Sequence, residues 1–139
     1  MQRDPARVAR ILGRGFFAAT IIETALGVVL GSVLDPIVEG SMAALLVGIL
    51  LIVGVLNVAM SLALLLPSMA RAGSPAPGMA STGYSFADAP AVYGLVSAIM
   101  TGEGLVAIPF GVVALVSWYL TKSFLSTVSE QKPEEFPRL

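Results

Sequence analysis

The chain has 139 residues, 56% of them hydrophobic and only 12% charged, with a net charge of −1. A soluble domain carries about 25% charged residues, so most of this length is committed to crossing a membrane and little remains for a catalytic domain. The absence of cysteine and histidine excludes disulfides, thiolate and iron–sulfur centres and removes the commonest general base and metal or haem ligand. Scattered basic residues give nucleic-acid binding no support.

A basic tail, residues 1–14, carries Arg3, Arg7, Arg10 and Arg14, with Val8, Ile11 and Leu12 on one side as in an interfacial helix. The first predicted span covers about 15–34 and holds one charge, Glu23. It is too long for a signal-peptide core and lacks a small-x-small site before Asp35, so it reads as retained. The second span, about 42–66, has no charge and is expected to stop at Pro67. Residues 67–85, rich in Gly, Pro and Ser, read as a loop. Two shorter spans follow, about 87–101 and 105–121, as a tight hairpin around Gly102-Glu103-Gly104. Pro109 is expected to kink the last one. Residues 122–139 form a polar tail.

Charge placement selects four spans over three. All 8 Lys and Arg fall in the N-terminal tail, at Arg71, or after Leu120, so four spans put every one on a single side, the cytoplasmic side by the positive-inside rule. The expectation is therefore an all-α integral membrane protein with four transmembrane helices and both termini in the cytoplasm, in a prokaryotic inner membrane. Phe16, Phe17, Tyr84, Phe86, Trp118 and Tyr119 lie near that interface, with Lys122 beside them.

Small residues mark helix-packing faces: Gly27 and Gly31 in a GxxxG on the first span, Gly94 within an Ala87/Ala91/Gly94/Ala98/Thr101 stripe, and Gly111 on the fourth. The GxxxG suits packing within the chain or against a partner helix. Counting depth at about 1.5 Å per residue puts Glu23, Asn57 and Ser97 in one polar layer, and Thr20, Ser61 and Tyr93 in a second nearer the cytoplasm. With no Lys or Arg inside any span, Glu23 is expected to stay protonated, either pinning helices through a hydrogen bond or binding a proton or cation with Asn57, Thr24 and Ser97 around it. Asp88, two residues before Pro90, suits a helix N-cap. Glu103 reads as a solvated turn residue.

The segment Phe86-Ala-Asp88-Ala-Pro-Ala-Val-Tyr93-Gly94-Leu95-Val96 resembles the ion-binding helix of rotary ATPase c subunits, in which a carboxylate stands five residues before an aromatic-Gly-Leu sequence, as in E-A-L-T-I-Y-G-L-V. The resemblance implies that Asp88 takes the place of the family's proton- or sodium-binding acid, with Tyr93 and Gly94 in register. It covers eleven residues of 139. Taken together, the expectation is a non-enzymatic membrane protein without cofactors or metals, an accessory or structural subunit that associates with lipid and with other membrane subunits or itself. The alternative is proton or cation handling through an intramembrane carboxylate.

Overall fold

A computed structural model describes residues 4–130 as four helices. Helix α1 spans Pro5–Val33, α2 Gly40–Arg71, α3 Ala76–Thr101 and α4 Ala107–Glu130, the last entered through a 3₁₀ turn at Gly104–Val106. Of the expected tail 122–139, residues 122–130 are the last turns of α4; residues 131–139 lie outside the described residues, as do Met1 to Arg3.

All four helices are longer than their hydrophobic runs. Asp4 caps α1 by accepting the Ala6 N–H at 3.0 Å, and Pro5 fills the first position, where its missing N–H costs nothing. From Pro5 to Arg14 the basic tail is therefore the first three turns of α1, not a separate segment. Its 29 residues reach about 43 Å, past a hydrocarbon core of about 30 Å.

Pro67 does not end α2. A π turn at Ser61–Leu65 precedes it, where the Leu66 N–H reaches back five residues to the Ser61 carbonyl, and the helix then continues to Arg71. The wider turn accommodates a ring that would otherwise press on the carbonyl four residues earlier.

The predicted 67–85 loop is largely helical. Pro75 and Pro77 open α3 eleven residues before the expected start, and only residues 72–75 link it to α2. At its far end Gly102 closes α3 in the left-handed conformation (φ 66°), and the following turn leads into α4. The hairpin is tight, but its arms, at 26 and 24 residues, are long enough to cross. Pro109 sits in the first turn of α4, where no intrahelical bond is lost and no kink is required.

Helix α3 is the centre of the bundle. Its buried positions (among them Ala80, Gly83, Ala87, Ala91, Gly94 and Ala98) repeat every three or four residues and are mostly small, so three neighbours approach its backbone closely. Gly83 meets Leu66 of α2 and Thr121 of α4; Gly94 meets Phe110; Leu95 and Ala98 meet Gly27 and Gly31 of α1. These contacts make α1 and α3 parallel and α2 and α4 antiparallel to α3. At the opposite end, the Ile37 and Val38 N–H groups both donate to the Met100 carbonyl at 2.9 Å, tying the α1–α2 connection to the end of α3.

The outer surface is apolar. Ile22, Val29, Leu45, Ile52, Leu64 and Val116 are all more than half exposed or close to it, an arrangement unfavourable in water and suited to lipid. Helices α1, α2 and α4 are each long and apolar enough to span a membrane, which marks the chain as an integral membrane protein.

Candidate functional site

Positions 16, 20, 23/24, 27 and 31 lie on one face of α1 by helical spacing, and that face packs on α3 and α4. At Thr20, 1% exposed, the hydroxyl lies within hydrogen-bond reach of the Phe16 carbonyl, at 3.0 Å, and of Asp88 Oδ1 on α3. One hydroxyl has one proton, so it serves both contacts in two ways. If Asp88 is ionised, Thr20 donates to it. If Asp88 is protonated, Asp88 donates to Thr20 Oγ1 while Thr20 donates to Phe16. The same side chains therefore satisfy either charge state of the acid.

Asp88 is thus not an N-cap. It is the thirteenth residue of α3, 8% exposed, and faces α1. The misplacement came from starting the helix at the end of the Gly/Pro/Ser stretch. The readable signal is that the small-residue stripe extends upstream through Ala80, Gly83 and Ala87, which puts Asp88 within a helix already under way.

Glu23, half-buried, sits one turn along α1 from Thr20, the residue that meets Asp88. Its Oε2 is shielded from the outside and has no hydrogen-bond partner. Ser61 Oγ, on the π turn of α2, is in the same condition. The register set by Asn57–Tyr93 and Leu66–Gly83 brings Ser61 to the level of Asp88. Pro90 supplies no N–H to the Phe86 carbonyl, which leaves a further acceptor on the turn that carries Asp88. Among the described residues, no group of three or more acidic side chains is gathered that could hold a metal ion.

Of the expected Glu23/Asn57/Ser97 layer, Ser97 falls at another level and Asn57 is engaged elsewhere. Asn57 Nδ2 donates to the Tyr93 hydroxyl at 2.9 Å, joining α2 to α3. Ser97 is buried without a side-chain partner, and the pairings of Thr20 with Asp88 and Gly31 with Ala98 put it level with residues near 30 of α1, more than a turn from Glu23. Helices α1 and α3 do not start at one level, so distance along each helix does not give the register between them. Thr24 donates to the Thr20 carbonyl at 2.8 Å and is wedged against Gly111, so its hydroxyl does not line the acid pair.

The segment 88–94 spreads over three interfaces. Asp88 faces α1, Tyr93 bonds α2, and Gly94 receives Phe110 of α4, where a Cβ would come within 2.6 Å of Phe110 Cβ. The GxxxG glycines pack inside the chain: a Cβ at Gly27 would lie 2.7 Å from Ala107 Cβ, and one at Gly31 2.7 Å from the Ala98 carbonyl oxygen. Glu103 is exposed at its turn.

No family model, curated protein or solved structure matches the chain.

Proposed function

We propose that this protein binds and releases a proton, or a monovalent cation in its place, at the Glu23–Asp88 pair, within a membrane and without enzymatic chemistry. In this reading all four helices cross, α3 enclosed by the others, and the basic end of the bundle faces the cytoplasm. One observation carries it: buried Asp88 and half-buried Glu23, one turn along α1 from Asp88's partner Thr20, have no basic side chain at their level among the described residues, and Glu23 keeps a shielded, unpartnered oxygen.

Acids kept only to pin helices would be expected to have their oxygens satisfied, because an unmet polar atom in an apolar interior costs about 1–3 kcal/mol. An oxygen poised for a proton or a cation is left open in the resting state. The Thr20 hydroxyl supports the same reading, since it meets Asp88 equally well before and after proton loss.

The test is infrared spectroscopy of the protein in liposomes as pH is varied across the physiological range. A carboxylic C=O band that titrates and that diminishes in both Glu23→Gln and Asp88→Asn is the expected result. A band insensitive to pH would make the pair a structural clasp.

A role as an accessory subunit of a larger membrane complex is compatible and has its own support. Helix α2 buries little besides Gly54, Val58, Ser61 and Leu66, and Gly48 has open space where a partner helix could approach. Native mass spectrometry of protein extracted gently from its own membrane tests it, with co-purifying subunits at fixed stoichiometry as the expected outcome.

A further inference from the structure

The first turns of α1, the start of α3 and the last turns of α4 meet at one end of the bundle and enclose a cleft of about 690 Å³. Its wall is apolar, with Phe17, Met79, Trp118, Leu125 and Val128. Its charged lining is wholly cationic among the described residues: Arg10, Arg14 and Lys122, all exposed.

The aromatic wall is held in place. Trp118 Nε1 donates to the Gly13 carbonyl at 2.7 Å, the Phe17 ring lies 5.0 Å from the Trp118 ring, and Lys122 Nζ stands 5.2 Å from the Trp118 ring centroid. Indole and ammonium are thus positioned side by side. Arg14 is the last cation before the apolar run that begins at Gly15, so the cleft straddles the boundary between hydrocarbon and headgroups.

We propose that this cleft binds one anionic phospholipid, its phosphate-bearing headgroup on Arg10, Arg14 and Lys122 and an acyl chain against Phe17, Trp118 and Leu125. Guanidinium groups pair with phosphate oxygens in two-point geometry, which a surface of lysines alone does not offer. A zwitterionic lipid brings an ammonium into a cleft that no acid lines among the described residues. A free phosphate ion would leave the apolar wall uncovered. The site is independent of the carboxyl pair.

Trp118 is the single tryptophan of the chain, so its fluorescence reports on this cleft alone. The full chain is reconstituted in phosphatidylcholine vesicles containing a minor fraction of brominated phosphatidylglycerol or, separately, of brominated phosphatidylcholine. Stronger quenching by the anionic lipid is expected. Arg14→Gln and Lys122→Gln should each weaken that preference roughly fivefold, as for one cation at a membrane surface. Equal quenching by the two lipids overturns the proposal. So does loss of the preference on adding inorganic phosphate, which would assign the cations to a soluble anion. A preference seen only after removal of residues 130–139 overturns it too, by making the chain's own tail the occupant.

Discussion

Thr20 stands between two acceptors with one proton to give, and that makes it the informative residue of the site. Thr20→Val keeps the shape and removes the hydroxyl, leaving a buried carboxyl without its partner. The expected loss is about 1–3 kcal/mol in a reversible unfolding titration in detergent. Thr20→Ser should recover most of it. Asn57→Leu removes a hydrogen bond that is only partly buried, and interhelical bonds in membranes average about 0.6 kcal/mol, so its cost should be smaller. The reverse ordering of Thr20→Val and Asn57→Leu would mean that the Thr20–Asp88 contact does not hold the bundle. Glu23→Gln should leave stability nearly unchanged, because the Oε2 it alters has no partner to lose.

At the level of the helices, glycine separates two kinds of surface. A Cβ at Gly31 would fall 2.7 Å from the Ala98 carbonyl oxygen and 2.9 Å from the Gly104 backbone, neither of which can rotate away. Gly31→Ala should therefore force α1 off α3 and cost about 1–3 kcal/mol, as overpacking does. At Gly48 nothing lies within 4 Å, so Gly48→Ala should leave the monomer's melting temperature in detergent unchanged. If Gly48→Ala instead abolishes co-purification of other subunits, that face of α2 is where they dock. The π turn belongs to this scale as well. Pro67 widens the preceding turn, and the widened turn is the one that brings Ser61, with its unpartnered hydroxyl, to the level of Asp88.

For the molecule as a whole, the parallel pair α1/α3 and the two helices running against it put residues 5, 71–76 and 126 at one end and residues 34–39 and 103 at the other. The chain has no cysteine of its own, so single cysteines can be read without background. In intact cells, Ile37→Cys and Glu103→Cys should react with a membrane-impermeant maleimide, whereas Ser74→Cys and Ser126→Cys should react only after the membrane is opened. Labelling of Ser126→Cys together with Ile37→Cys would put an even number of crossings between them and remove α3 from the membrane.

The sequence by itself determined that the chain lives in lipid, that its elements are helices, where its apolar runs lie, and that Glu23 sits inside one of them. Those are properties of composition and length, and they do not depend on neighbours. It also showed the small-residue stripe on which α3 is packed. Only the tertiary structure decided where the helices begin and end, because capping by Asp4 and Pro75 and the wide turn before Pro67 extend helix through residues whose polarity reads as loop. The site depended on those limits. A shift of eleven residues in the start of α3 moved Asp88 from a helix end to the buried face opposite Thr20. The register between α1 and α3 separated Ser97 from Glu23. Pairing between helices is set by register, and register is decided where backbones touch, at Gly27, Gly31, Gly83 and Gly94, not by distance along the chain.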